Sequence, residues 1–380
     1  MARVLVADDQ TDVLEALRFL LTELDCEIDL VNSVDGVMDH LGRRTYDLLL
    51  MDLNYTRDTT SGREGLDLLD RSRAQDPTLP IVVMTGWGSI DTAVEAMRRG
   101  AKSFVQKPWD DAVLVEIVER ELSDGAAVRQ RDARHAREQE EARLIQRALI
   151  PSMMPPLRSC DIAARWQPAS GIGGDCYDLV RFSDTRIGIA IADVVGKGLP
   201  AALLMSNLQA ALRAFATDGA ATHAVTSSVN RLLCRNISVG KFVTFCYAVV
   251  DSTAGTIDFA NAGHNPPLLL HADGTTEYLA ATGIVLGVFP DGLYDSRTVA
   301  FGAGDRLIFY TDGITEAANP LNEEFGEDRL IAAVRSCGPP CTATAIVDTV
   351  TAEVALWTGG AVQDDATLIV VTRCPEKAGS

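Results

Sequence analysis

The chain returns repeatedly to one arrangement, an apolar run that meets a carboxylate. It appears in "RVLVADD" (Arg3–Asp9), "YDLLLMDL" (Tyr46–Leu53), "IGIAIADVVG" (Ile187–Gly196) and "DRLIFYTDGITEA" (Asp305–Ala317), and with the acids leading in "QDDATLIVV" (Gln363–Val371). Short apolar runs bounded by charge read as buried strands. A carboxylate at the end of a buried strand loses water and needs a cation or hydrogen-bond donors to compensate it. The fold must therefore gather strand ends around positive charge. With 380 residues, the chain exceeds one ordinary core and suits two domains plus a connector.

The first third alternates strand and helix. Strand patterns fall at Val4–Ala7, Ile28–Val31, Leu48–Met51, Ile81–Met84 and Ser103–Gln106, each followed by an amphipathic run. Such βα units predict a doubly wound parallel sheet with its ligand site at the carboxyl ends of the strands. Asp8, Asp9, Asp52, Thr85 and Lys107 all fall at those ends. Clustered carboxylates stay ionised only when a cation joins them, and Mg²⁺ prefers hard oxygen ligands. Lys107 adds a point charge suited to a phosphoryl oxygen and Thr85 a hydroxyl, which leaves Asp52 as a metal-assisted nucleophile.

The stretches "VADD", "LLLMDLN", "VVMTGWGS" and "FVQKPW" resemble the receiver domain of bacterial response regulators over residues 1–122. The resemblance implies that Asp52 is the phosphoacceptor and that Asp9 and Asp52, with the Asn54 carbonyl, hold Mg²⁺. It further implies that Asp8 holds a metal-bound water, that Phe104 is the switching aromatic, and that the Lys107–Pro108 bond is cis. It also implies a cognate histidine kinase as phosphodonor. One departure is the longer polar loop "NYTRDTTSGREG" after the phosphoacceptor.

Residues 123–158 change character. In "SDGAAVRQRDARHAREQEEARLIQR" charges of both signs interleave and apolar residues thin to a narrow seam at Ala133, Ala136 and Leu144. This reads as a helical linker, either solvated or a coiled coil that pairs two copies of the chain. Prolines in "LIPSMMPPL" should stop it. Residues 159–374 are strand-rich with interspersed helices, which predicts an α+β domain of two packed sheets flanked by helices. Residues 375–380 form a tail.

The second domain presents its acids in separate places: Asp175 and Asp178 in "GGDCYD", Asp193 in "ADVVGKG", Asp312 in "YTDGITEA", and Asp364 and Asp365 in "QDDATLIVV". Without His or Cys among them, they suit a pair of Mg²⁺ or Mn²⁺ ions clamping a phosphoryl group. These motifs, with "IQRALIPSMMP" and "NAGHNPPLLL", resemble the metal-dependent Ser/Thr protein phosphatases (PPM type) in their bacterial SpoIIE/RsbU branch. The resemblance implies that Asp193 bridges two metals, that the Val194 carbonyl and Asp175 serve the first, and that Asp312 and Asp364 hold the second. Asp365 is a weaker ligand candidate, and Gly174 lets the chain pass close to the metals. Direct attack by metal-activated water on phosphoserine or phosphothreonine follows, with no phosphoenzyme. The implied substrate is a phosphorylated STAS-type anti-anti-sigma regulator. His264 can serve as a general acid or shape a turn, and Lys197 can touch phosphate or simply head a helix.

A net charge of −19 opposes a phosphate backbone, so a nucleic-acid partner is not expected. Apolar runs are too broken to span a membrane, and the first residues open directly into a strand, which reads as cytoplasmic. Eight scattered cysteines and five histidines give no zinc spacing. The expected function is a response regulator that dephosphorylates a regulatory protein under control of Asp52. The competing reading is an inactive phosphatase-like adaptor.

Overall fold

The computed structural model describes the chain except residues 56–61, 87–89, 170, 238–239, 339–340, 362 and 375–380, and except the side chain of residue 90. Part of the polar loop after the phosphoacceptor candidate, the end of "VVMTGWGS" and the tail thus lie outside the described residues. Contacts divide the chain into two units, Met1–Arg137 and Glu138–Ser380.

The first unit runs β1 (Ala2–Ala7), α1 (Thr11–Leu21), β2 (Cys26–Val31), α2 (Val34–Arg43), β3 (Leu48–Asp52), α3 (Arg63–Gln75), β4 (Ile81–Thr85), α4 (Ile90–Arg98) and β5 (Ser103–Gln106). The helix α5 (Asp111–Leu149) begins here and ends in the second unit. The strands form one parallel sheet in the order β2-β1-β3-β4-β5. β3 and β4 are buried at every residue because helices cover both faces, which explains their continuous apolar sequence. Alternate side chains serve different cores: Leu49 and Met51 pack with Leu66 and Leu69, whereas Leu48 and Leu50 pack with Leu14 and Leu114. Ser33 caps α2 by accepting from the Gly36 N–H at 3.2 Å.

The second unit runs β6 (Cys160–Gln167), β7 (Cys176–Arg181), β8 (Arg186–Val194), α6 (Leu199–Phe215), α7 (Thr222–Asn236), β9 (Val243–Asp251), β10 (Thr256–Ala262), β11 (Leu268–Leu270) and β12 (Thr276–Tyr278). It continues with β13 (Arg297–Ala300), β14 (Arg306–Tyr310), α8 (Asp312–Thr315), α9 (Gly326–Ser336), α10 (Ala343–Thr358) and β15 (Ala366–Arg373). Two antiparallel sheets form, β13-β10-β9-β8-β7 and β12-β11-β14-β15-β6. Ile189, Phe245, Phe309 and Ile369 meet in the core they share. The opposite face of the second sheet, through Ile308, Leu368 and Val370, packs on Val334 of α9 and Ile346 and Val350 of α10. Phe309 is fully buried, and its truncation to Ala should cost roughly 3–5 kcal/mol.

The linker prolines do end a helix: α5 stops at Leu149, and its stretch from Arg131 to Glu140 is exposed throughout. The edge strands β12 and β13 were not expected. They are short and largely exposed, so they lack the apolar alternation that marks a half-buried strand.

Candidate metal centres

In the first unit, Asp8 and Asp9 follow β1, Asp52 ends the neighbouring β3, Thr85 ends β4, and Lys107 follows β5. The sheet order places β1 and β3 side by side with β2 outside, so the acids flank the point where the chain's direction across the sheet reverses. Asp8, Asp9 and Asp52 each offer a carboxylate oxygen within 4.8 Å of the others. Lys107 Nζ donates to Asp8 Oδ2 at 2.5 Å and to Asp52 Oδ2 at 2.8 Å. Asp8 Oδ1 accepts from the Gln10 N–H at 2.9 Å, so that carboxylate is occupied at both oxygens. Asp9 Oδ1 and Asp52 Oδ1 are buried with no partner.

Burial raises the Asp52 carboxyl above its ordinary value, and Lys107 opposes this only in part. Burial works against the charge on Lys107, yet Asp52 and Asp8 hold it above its ordinary value. Two orphaned oxygens on adjacent acids fit a hard cation. Asn54 follows directly and is half-buried, Phe104 is 48% exposed on β5, and the Lys107–Pro108 bond is cis. Tyr55 was not singled out in the sequence. Its ring is buried and its hydroxyl has no partner.

The second unit assembles its acids from both sheets. Asp193 is the penultimate residue of β8 and lies opposite Thr244 of β9. Asp175 precedes β7, whose first residue pairs with Ala192. Asp312 opens α8 just beyond β14, and Asp364 and Asp365 precede the antiparallel neighbour β15. The hydrogen bond from the Thr311 N–H to the Thr367 carbonyl, at 3.1 Å, brings these two connections together. Gly313 is required there, since a Cβ would lie 1.9 Å from the Asp365 carbonyl oxygen. Gly174 approaches the Val194 carbonyl in the same way, where a Cβ would sit 2.7 Å from the oxygen.

These acids divide by their partners. Asp175 is buried, and its Oδ2 accepts from Thr311 Oγ1 at 2.6 Å and Thr367 Oγ1 at 2.8 Å. Asp365 Oδ2 accepts from the Gly174 N–H at 2.6 Å and Oδ1 from the Ala169 N–H at 2.8 Å, which ties the Gly174–Asp175 loop to β15. Asp178 is paired at both oxygens with Arg213, at 2.7 and 2.9 Å. Asp178 thus has a basic partner that removes it from the metal-ligand set, and Asp364 meets Lys197 Nζ at 3.0 Å.

Burial raises the Asp193 carboxyl to about 6, helped by Asp312, Asp364 and Asp365. Burial and then Asp193 raise Asp175, and burial and then Asp364 raise Asp312. Mutual repulsion of this kind fits divalent cations, but the set is more open than the first. Among the described residues, only Asp8, Asp9 and Asp52 bring three such groups within 4.8 Å.

The "NAGHNPP" turn is built by Asn261, whose Oδ1 accepts from the His264 N–H at 2.8 Å and whose Nδ2 donates to the His264 and Leu279 carbonyls at 3.2 and 3.0 Å. Burial lowers the His264 imidazole to about 4, so it is neutral at physiological pH and packs its Nδ1 against Thr244 Oγ1 at 2.9 Å. A turn-shaping role fits better than proton donation. Three residues sequence reasoning passed over are Thr311, Thr367 and Gln146. The last is buried on α5, donating from Nε2 to the Gly173 carbonyl at 2.7 Å and accepting at Oε1 from the Gly173 N–H at 3.1 Å.

Residues 183–374 match the family model described as "Stage II sporulation protein E (SpoIIE)", and residues 4–119 match "Response regulator receiver domain". Protein IcfG of Synechocystis sp. is 29% identical over 285 residues, covering 68% of this chain and 43% of that protein. Phosphoserine phosphatase RsbU of Bacillus subtilis is 34% identical over 173 residues, covering 45% of this chain and 51% of that protein. The chain thus spans about half the length of these relatives. The SiaA-PP2C domain of Pseudomonas aeruginosa has the same fold, with a TM-score of 0.57 at 22% identity over 64% of this chain and 98% of that one.

Proposed function

Because the chain belongs to the SpoIIE family and carries a response regulator receiver domain ahead of that region, we propose that it is a phosphorylation-controlled phosphoserine/phosphothreonine protein phosphatase. The observation that carries this reading is the convergence of Asp175, Asp193, Asp312 and Asp364 at strand ends from two sheets, with burial and neighbouring acids raising the carboxyls of the first three. When bound, a pair of Mg²⁺ or Mn²⁺ ions supplies an activated water and offsets charge on the phosphoryl group. Asp193 with Asp175 and the Val194 carbonyl would hold one ion, and Asp193 with Asp312 and Asp364 would hold the other. Thr311 and Thr367 fix the Asp175 carboxylate by donating to one oxygen and leaving the other for a cation. Asp365 spends both oxygens on backbone N–H groups and acts by holding the loop.

In the receiver unit, Asp52 accepts a phosphoryl group from a histidine kinase on one carboxylate oxygen. The N–P bond of the donor breaks as the O–P bond forms, and Lys107 and Thr85 balance the new charge. Asp9, Asp52 and the Asn54 carbonyl would hold Mg²⁺. The indirect role of Asp8 agrees with its occupied oxygens. The acyl-phosphate raises phosphatase activity through the Phe104 face and α5, whose Gln146 holds the backbone two residues before Asp175. The partner proteins are the kinase and a phosphorylated STAS-type regulator, and α5 is the candidate dimer seam. No helix among the described residues is long and apolar enough to cross a membrane.

Phosphate release from a phosphoserine protein with Mn²⁺ tests the assignment. Wild type should hydrolyse it and Asp193→Ala should not; undiminished release in that variant places the active centre elsewhere. Beryllofluoride should raise the wild-type rate and leave Asp52→Asn unchanged, and equal rates throughout would refute the control by Asp52.

A further inference from the structure

A cavity of about 220 Å³ opens in the second unit beside the acid set and shares Asp312 and Asp364 with it. Its lining includes Leu368 of β15, Val354 and Ala355 of α10, and Ile314 and Glu316 at and just beyond α8. An occupant would therefore touch the place where a substrate phosphoryl group sits. The volume is below the about 300–1,000 Å³ of small-molecule sites and suits a single long side chain.

Its charged lining is mostly acidic: Asp312, Glu316 and Asp364 against Arg165, which is engaged with Asp348 at 2.8 Å, while Lys197 outside the lining meets Asp364 at 3.0 Å. Glu316 makes no side-chain hydrogen bond or ion pair among the described residues, and its charged neighbours, Asp312, Glu324 and Asp364, are all acids. Cations held by Asp312 and Asp364 would offset those two, leaving Glu316 as an exposed carboxylate with no cationic partner among the described residues, in the same lining as Val354, Ala355 and Leu368. Apolar lining beside a carboxylate complements a chain with an aliphatic stem and a cationic head.

We propose that this cavity receives a lysine or arginine side chain of the substrate protein close to its phosphoserine, with the stem against Val354, Ala355 and Leu368 and the head on Glu316. The inference rests on the hydrolase reading of the adjoining site and names its substrate class: phosphoserine segments with a nearby basic residue. Glu316 acts as a specificity residue and takes no part in the chemistry.

The test is fluorescence anisotropy with the full-length protein and Mn²⁺. The probes are labelled peptides carrying phosphonomethylalanine, a non-hydrolysable phosphoserine analogue, with Arg, Ala or Glu scanned through the flanking positions. At one or more positions Arg should bind about tenfold more tightly than Glu, the sum of a modest ion pair and a buried stem. Glu316→Lys should reverse that order, and Val354→Trp should erase it by filling the cavity while analogue binding persists. Equal affinities at every position, a preference that survives in Glu316→Lys, or no binding at all would overturn the proposal. Failure of the wild type to release phosphate from phosphoserine proteins, with the Arg preference intact, would instead count against the hydrolase reading alone.

Discussion

The two acidic centres solve the same electrostatic problem differently. In the receiver unit three carboxylates crowd within 4.8 Å, and Lys107, mostly buried, reaches two of them. In the phosphatase unit the acids spread over two sheets. Asp175 is held by hydroxyls, and the cation that reaches the set, Lys197, is well exposed. A resident ammonium lets the first centre persist without metal and leaves room for one small cation. Among the described residues the second has no buried counter-charge of this kind, so bound cations would keep its acids ionised. Under the proposed function, the former suits a covalent phosphoacceptor and the latter suits hydrolysis by water between two ions.

The largest effect should come from removing a ligand candidate of the open centre. Asp312→Ala should lower phosphate release by more than about 100-fold, beyond the 10–100-fold typical of residues that only orient a ligand. A smaller loss would make Asp312 a bystander and weaken the contrast between the centres. Lys107→Met probes the other side. It strands Asp8 and Asp52 and should destabilise the receiver unit in EDTA by about 3 kcal/mol, with added Mg²⁺ restoring much of the loss in a thermal melt. No Mg²⁺ recovery would mean that the lysine is not standing in for a cation.

Thr311→Val removes one of two hydroxyls on Asp175 and should weaken Mn²⁺ binding at the phosphatase centre about tenfold or more. Mg²⁺ binding at the receiver should not change, as calorimetry can show. The smallest effect concerns pH. His264 has a folded value of about 4 against an ordinary 6.5, so the unfolded chain binds the extra proton between them. The stability it contributes is present above the ordinary value and is lost as pH falls toward 4, about 2 kcal/mol between about pH 7 and pH 5. A His264→Gln variant should show a correspondingly flatter pH profile of phosphatase-unit melting.

Much of this was legible in the sequence because both centres sit where strong strand patterns end. Val4–Ala7 and Leu48–Met51 could hardly be other than buried parallel strands, and their length fixes where Asp8 and Asp52 emerge. Asp193 and Asp312 were placed by the same rule. What the sequence hid were contacts made across it. Thr311 and Thr367 are ordinary strand-end hydroxyls until β14 and β15 pair. Asp365 looks like a ligand until its oxygens are seen on the Ala169 and Gly174 N–H groups. Asp178 stands three residues from Asp175, yet it points to Arg213. The connector showed only a thin seam, and the buried Gln146 within it carries no periodic signal. The cavity beside Asp312 arises from α10 meeting the end of β15, a packing detail no local pattern encodes.

The most direct measurement is the stoichiometry of Mn²⁺ uptake by the full-length chain in titration calorimetry. Wild type should take up about three equivalents and Asp193→Ala about one, the survivor being abolished in turn by Asp52→Asn with Asp9→Asn. An Asp193→Ala chain that still binds as many ions as the wild type would contradict the paired-metal centre on which the account stands.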